Sequence, residues 1–257
     1  MMRVALTIAG SDPSGGAGLQ ADLKTFQAFG VYGTSVVTVV TVQNTVRSSR
    51  VEALAAALVG EQLDAVLEDI PPQAAKTGAL GTAAIVEAVA ARKFDCPFII
   101  DPVMVGKHGG LLIDPDARAA LIRLLFPKAA LVMPNLDEVR ELTGMEVRNI
   151  EQMKEAAKRV ADLGPSSVLV KGGHLEGPEA VDVLWHAGEF LELRTPRIES
   201  RHTHGTGCVY SAAITAGVAL GHPLPEAARR AKAFVHNAIR MAPGLGAGHG
   251  PLGIVPL

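Results

Sequence analysis

The residues best suited to chemistry stand in the segment His202-Thr203-His204-Gly205-Thr206-Gly207-Cys208, where two glycines open an apolar helical pattern. A helix that starts this way turns its first backbone N–H groups toward any anion in front of it. Preorganised donors of this kind suit a transferring phosphoryl group, and the same reaction gains from a group that takes the proton of an attacking hydroxyl. Cys208 stands where it could do so, because a thiol with a reference pKa of about 8.5 becomes more acidic at a helix N-terminus. The plainer reading of a single cysteine is a small packing residue. A zinc site built on His202, His204 and Cys208 lacks the matching Cys/His pair that structural zinc sites carry.

Other polar groups come directly after short apolar runs. Lys171-Gly172-Gly173-His174 offers a cation for phosphate and glycines that admit a nucleotide, against the plainer reading of a solvated lysine before a turn. Asp101-Pro102 ends the run Phe98-Ile99-Ile100, and Asn135-Leu136-Asp137-Glu138 opens a helix after Leu131-Val132-Met133-Pro134. Hard Mg2+ takes oxygen ligands and keeps several waters, so one or two of these carboxylates would suffice beside nucleotide phosphates. Asp137 fits equally the stabilisation of a helix N-terminus by negative charge. Gln43-Asn44 supplies a carboxamide whose donor and acceptor match the edge of an aminopyrimidine, or else caps loop backbone. The stretch Gly10-Ser11-Asp12-Pro13-Ser14-Gly15-Gly16-Ala17-Gly18 lets backbone approach a ligand but lacks the Gly-Lys-Ser/Thr end of a P-loop. Its plainer reading is a turn with Asp12 or Ser14 at the helix cap.

These groups need a scaffold that gathers strand ends. β-Branched runs at 4–8, 35–42, 74–77, 97–100, 131–133 and 167–170 alternate with helical patterns, the first carrying Leu19, Leu23, Phe26 and Phe29 on one stripe with Asp22 at its margin. Strand-helix alternation predicts right-handed crossovers and a mainly parallel sheet between two helical layers, with ligands beyond the carboxyl ends of the strands. Runs at 181–185 and 190–195 predict a late hairpin, and two helices come after it at about 207–220 and 225–241. The hairpin and the paired helices break the regular count of a TIM barrel of similar length. The Gly-rich end at 244–253 reads as irregular.

Composition narrows the class. At 257 residues and 48% hydrophobic, the chain can bury one large α/β core, and residues 1–257 read as a single domain. A net charge of -2 and the lack of a basic run argue against a nucleic-acid partner. The N-terminus has too little apolar length for a signal peptide and no segment approaches a bilayer span, so no membrane partner is expected. Two well-separated cysteines, Cys96 and Cys208, fit a reducing cytoplasm better than a disulfide framework.

Taken together, residues 6–18 with Gln20-Ala21-Asp22-Leu23-Lys24-Thr25-Phe26, Gln43-Asn44-Thr45, Asp101-Pro102-Val103-Met104, Pro134-Asn135-Leu136 with Glu138, Lys171-Gly172-Gly173-His174 and His204-Gly205-Thr206-Gly207-Cys208 resemble the hydroxymethylpyrimidine/phosphomethylpyrimidine kinases of the ribokinase-like superfamily over nearly the whole chain. The resemblance implies an αβα sandwich that uses ATP and Mg2+ to phosphorylate 4-amino-5-hydroxymethyl-2-methylpyrimidine and then its monophosphate, as a cytoplasmic homodimer in thiamine synthesis. It further implies that Gly10, Ala17, Asp22, Gln43 and Ala79 hold the pyrimidine and that Gly205, Thr206 and Gly207 form the anion hole. Lys171 and Asn135 would meet ATP phosphate, Glu138 and Asp101 the metal, and Cys208 would be the base, where most ribokinase relatives use Asp.

Two positions depart from the family pattern. Ala79 stands where a Met commonly packs on the substrate ring, which leaves a roomier pocket. Gly106, in the stretch 104–110 that matches the family's mobile lid, stands where similar bacterial pyridoxal kinases carry a reactive Cys, which leans against pyridoxal. A pyridoxal or pyridoxine kinase on the same scaffold is the nearest alternative. A noncatalytic small-molecule sensor is the alternative from another class.

Overall fold

The computed structural model describes residues 2–104 and 113–255. Nine strands form one sheet: β1 (Val4–Ser11), β2 (Tyr32–Gln43), β3 (Ser48–Ala53), β4 (Ala74–Thr77), β5 (Phe98–Ile100), β6 (Leu131–Val132), β7 (Ser167–Lys171), β8 (Glu179–His186) and β9 (Glu189–Pro196). Their order is β3-β2-β1-β4-β5-β6-β7-β8-β9, parallel from β2 to β7 and antiparallel at both margins.

Helices cover both faces, as the alternation predicts. On one lie α2 (Ala56–Asp69), α3 (Ala83–Ala90), α4 (Pro115–Ala120), α5 (Leu136–Thr143) and α6 (Ile150–Ala161), burying Leu63, Ile85, Val86, Val139 and Val160 against the sheet. On the other lie α1 (Gly18–Ala28), α7 (Thr206–Ala219) and α8 (Leu224–Arg240), packed around Phe26, Ile99, Met133 and Leu169. Residues 209–217 of α7 are all buried, because α1, α8 and the sheet enclose it. A helix hydrophobic all round belongs in such a place.

Two features differ from the sequence reading. Strand β3 extends the sheet beyond β2, although residues 48–53 lack the alternation that marks a half-buried strand. Its side chains are mostly exposed, so no buried face imposed a pattern on them. Strand β6 is only two residues long, since Pro134 comes next but one and the chain turns at once into α5. The stretch 105–110, matched above to a lid, lies outside the described residues, as does Gly106 within it.

Candidate active site

The carboxyl ends of β1, β4, β5, β6 and β7 converge on the N-terminus of α7. Gly205 is the residue before that helix, in a left-handed conformation (φ 83°), and no side chain caps the helix. A Cβ at Gly205 would lie 1.8 Å from the Gly16 carbonyl oxygen, so only glycine fits. The N–H of Thr206 reaches the Thr203 carbonyl at 3.3 Å. The amides of Gly207 and Cys208 are the second and third of the first turn and have no partner within the helix. These half-buried positions form the opening into which an anion would fit.

Strand β7 aims Lys171 at this opening. A Cβ on Gly207 would lie 3.6 Å from Lys171 Nζ and 3.5 Å from Asp101 Oδ2. Lys171 Nζ is 2.6 Å from Asp101 Oδ1 and 3.8 Å from Glu138 Oε2. Asn135 pairs with Lys171 across a parallel bridge, which sets the start of α5 beside the end of β7. Asn135 and Glu138 form a capping box: Asn135 Oδ1 accepts from the Glu138 N–H at 2.9 Å, and Glu138 Oε2 accepts from the Asn135 N–H at 2.7 Å. Burial first, and then Asp101, push the Glu138 carboxyl up to about 7 against the opposing pull of Lys171. Burial penalises the Lys171 charge, but Asp101 and Glu138 more than offset it and hold the ammonium above its ordinary value. Asp137 is exposed at the helix start, where its charge faces solvent.

Among the described residues, no three His, Cys, Asp or Glu side chains gather as a protein-only metal site. His204 Nε2 is bonded to Asp12 at 2.8 Å, and the Cys208 sulfur accepts the Gly18 N–H at 3.4 Å, so two of the three zinc candidates are engaged elsewhere, while the third, His202, has its Nε2 3.3 Å from Arg201 Nε. The pair Glu138 and Asp101 offers hard carboxylate oxygens but too few of them for a closed cage. That donor set fits Mg2+ completed by phosphate oxygens and water.

The Gly-rich loop after β1 is organised by Asp12, which does not cap α1. Its carboxylate accepts from the N–H groups of Ser14 (2.9 Å), Gly16 (3.2 Å) and Ala17 (2.9 Å), from the Ser14 hydroxyl, and from His204. Against burial, these donors and the neighbouring Gln43 carboxamide hold the Asp12 carboxyl well below the ordinary range. His204 therefore ties the first loop of the chain to the entrance of α7. Gln43, at the end of β2, is half-buried beside that loop. Gly10 faces Val39 and Ala79: a Cβ there would lie 2.5 Å from Val39 Cγ2 and 3.8 Å from Ala79 Cβ. Gly10 and Gln43, at the ends of β1 and β2, are thus brought near the loop residues Ala17 and Ala79.

Asp22 is placed differently from a direct ligand. It is fully buried, and its two oxygens accept from Lys76 Nζ at 3.0 and 2.9 Å and from the Thr7 hydroxyl at 2.6 Å. With no accessible surface and three hydrogen bonds already on it, the Asp22 carboxylate lies behind Lys76 in the site. Lys76 itself, in the middle of β4, has no accessible surface at all.

The thiol corrects a second expectation. Cys208 is the third residue of α7, and its sulfur accepts the first N–H of α1. Burial nonetheless dominates, with Asp22 and Asp101 adding to it against Lys76 and Gly18, and the thiol is pushed up to about 12. The helix position alone does not make it acidic in the unliganded chain. Cys96 is half-buried elsewhere and pushed up to about 11, first by burial and then by Asp95.

Three further residues escaped the sequence reading. Lys76 had a signal, a charged residue inside an apolar parallel strand. Arg197 had none: it donates to the carbonyls of Gly173 (2.9 Å), Leu175, Gly177 (2.8 Å) and Glu179 (3.2 Å), holding the loop that comes after Lys171. Asp182, on β8, accepts from the Gly172 N–H at 2.9 Å and from the buried Lys232 at 2.6 Å, fixing the same loop from beneath.

Residues 12–253 match the family model described as phosphomethylpyrimidine kinase. The chain is 48% identical over 250 residues to the thiamine biosynthesis bifunctional protein ThiED of Geobacter sulfurreducens, covering 96% of this chain but about half (51%) of that longer protein. It is 47% identical to the hydroxymethylpyrimidine/phosphomethylpyrimidine kinase of Rhizobium meliloti, covering 98% and 97% of the two chains. Among solved structures, the phosphomethylpyrimidine kinase of Clostridium difficile superposes with a TM-score of 0.81 at 42% identity, over 92% of this chain and 99% of that one. The pyridoxal kinase of Staphylococcus aureus in complex with AMP-PCP and pyridoxal does so with a TM-score of 0.89 at 38% identity, over 99% and 94%.

Proposed function

The chain belongs to the phosphomethylpyrimidine kinase family, and on that premise we propose that it transfers the γ-phosphate of ATP to 4-amino-5-hydroxymethyl-2-methylpyrimidine and then phosphorylates the monophosphate to the diphosphate used in thiamine synthesis. It is a phosphotransferase, as its relatives are. The observation that carries the reading is the uncapped start of α7 with Lys171 beside Gly207 and Cys208 one residue further on.

In the first transfer the hydroxymethyl oxygen attacks the γ-phosphorus, the bond from that phosphorus to the bridging oxygen of ADP breaks, and the hydroxyl proton passes to the Cys208 sulfur as thiolate. The amides of Gly207 and Cys208 meet the transferring phosphoryl oxygens, where charge is greatest in a loose transition state. Lys171 holds the same oxygens by charge. Gln43 reads the pyrimidine edge, with Gly10, Ala17 and Ala79 leaving room for the ring. Glu138 and Asp101, with the ATP phosphates, would hold Mg2+, whose chemistry is to neutralise phosphate charge. Asn135 keeps Glu138 in place through the capping box.

In the second transfer the acceptor is an ionised phosphate, so no proton has to be removed and Cys208 loses its task. A pyridoxal kinase is the second reading, favoured by the likeness to the Staphylococcus aureus enzyme. A noncatalytic sensor would release no ADP. The deciding experiment measures ADP release with the pyrimidine, its monophosphate, pyridoxal and a sugar alcohol. The expected result is the greatest kcat/KM on the first two. Preference for pyridoxal would install the second reading, and no ADP with any acceptor would install the sensor. A homodimer and a cytoplasmic location complete the proposal. No described helix is long and apolar enough to cross a membrane, and light scattering tests the dimer.

A further inference from the structure

Lys76 is a lysine with 0% exposure at the centre of a parallel sheet, a place where a lone ammonium is costly and is kept only when paired. Its strand neighbours Ala74 and Ala75 are small and apolar, and an aliphatic residue would fill the position. Its partner Asp22 lies one helical turn beyond Gly18 on α1, and the Gly18 N–H is the one that meets the Cys208 sulfur. The sulfur therefore meets the start of α1 one turn before Asp22, and Lys76 reaches Asp22 from β4. Gly78, two residues further on, leaves space there: a Cβ on it would lie 3.9 Å from Lys76 Nζ.

We propose that Lys76, steadied by Asp22 and Thr7, is a positioning residue for the first phosphoryl transfer, its ammonium supplying the positive charge that the Cys208 thiolate needs beneath the acceptor hydroxyl. The charged groups facing that sulfur are Lys76 from β4, Asp22 from α1, Asp101 from the end of β5 and Lys171 from β7. Two of the four are carboxylates that oppose ionisation, and Lys171 is drawn 2.6 Å from one of them. Lys76 is the cation that acts most strongly in favour of the thiolate. Removing it leaves the Gly18 N–H and the more distant Lys171, itself drawn to Asp101, against burial and two negative charges.

This inference rests on Cys208 taking the proton in the proposed reaction, and its test separates the two. In a Cys96→Ser background, the rate of Cys208 alkylation by iodoacetamide is measured from pH 7 to 10 without substrate, in the folded enzyme and in variants checked by circular dichroism. Thiolate fraction changes tenfold for each unit of pKa. Lys76→Met is expected to slow alkylation about tenfold or more at a given pH, Lys76→Arg to restore most of it, and Asp22→Asn to speed it. A purely structural pair would move both single variants the same way. If Lys76→Met does not fold, the double variant Lys76→Met/Asp22→Asn, which buries no unpaired charge, is compared with Asp22→Asn alone, and must alkylate the more slowly of the two.

Unchanged alkylation in Lys76→Met, or shifts of the same sign in Lys76→Met and Asp22→Asn, would overturn the inference. In catalysis, Lys76→Met is expected to depress transfer to the pyrimidine alcohol about tenfold or more below its effect on transfer to the monophosphate, with Lys76→Arg recovering the difference. If the alkylation shifts hold while Cys208→Ala leaves the alcohol transfer intact, the assignment of the base fails and the charge coupling stands.

Discussion

Around the start of α7, two groups of buried charges are built on different principles. Toward β1 and β4 lies a closed pair: one carboxylate, Asp22, one ammonium, Lys76, and a hydroxyl, all without access to water. Toward β5, β6 and β7 lies an open set, with two carboxylates, Asp101 and Glu138, sharing the single ammonium of Lys171. The closed pair is electrically complete and has no surface open to a ligand. The open set is short of positive charge, and that shortage holds the Glu138 carboxyl at about 7, with burial as the larger cause. In the proposed reaction, the side that would admit a nucleotide with its cation is left unbalanced, whereas the side proposed to tune one sulfur is balanced and sealed.

The strongest way to break this division is through the sulfur between the two groups. Cys208→Ala is expected to lower phosphorylation of the pyrimidine alcohol by about 10²-fold, within the usual range for a general base, and that of the monophosphate by no more than a few-fold. Because the wild-type thiol is pushed up to about 12, its thiolate fraction climbs about tenfold per unit between pH 7 and 9. The wild-type alcohol reaction should climb with it, and the variant should lose the slope. Equal losses with both acceptors would make Cys208 a packing residue at the helix start.

A smaller effect separates the open side from the closed one. Glu138→Gln is expected to reduce turnover about tenfold with either acceptor, a loss that excess Mg2+ partly relieves. The sign for stability runs the other way. A carboxyl with a folded pKa of about 7 and a reference value of 4.5 favours the folded state while protonated, so its ionisation withdraws stability as pH rises from 4.5 through 7. Without nucleotide and Mg2+, Glu138→Gln should therefore melt higher than wild type above pH 7, on the order of 1–3 kcal/mol, and nearly alike at pH 5. Thermal melts at the two pH values check this, and a difference of the same size at both would place the cost in the capping box.

The smallest effect sharpens the acceptor side. Gln43→Ala should raise KM for the pyrimidine several-fold, as expected for loss of contacts to the ring edge, and leave KM for ATP unchanged. A weakened ATP site would move Gln43 from the ring to the loop held by Asp12.

Much of the sheet was legible in the sequence because apolar runs such as 98–100 and 167–170 are buried on both faces and leave no other reading. The late hairpin was legible because the runs 181–185 and 190–195 are split by the short stretch His186-Ala187-Gly188-Glu189, and Ala187 and Gly188 form its turn with positive φ. Strand β3 was not, since an exposed edge writes no period into its residues. The cluster of strand-end acids, glycines and Lys171 could be found from the polar residues just past the end of each apolar run. The task of Asp22 could not, because a margin position on a helix stripe does not reveal a buried lysine 54 positions away. Nor could the thiol's reluctance to ionise: Cys208 occupies the helix position that favours thiolate, and only the packed neighbourhood shows that burial outweighs it.

The bonds from His204 to Asp12 and from Gly18 to Cys208 join residues 192 and 190 positions apart, and the His204 N–H reaches on to the Gly250 carbonyl at 3.1 Å. Contacts of such sequence separation are made late in folding, after the loop-closure entropy between them has been overcome. A ribosome synthesising this protein would thus carry most of the sheet before these bonds can close, and a nascent chain cut short before α7 would lack both the helix start and the sulfur on which the proposed reaction depends.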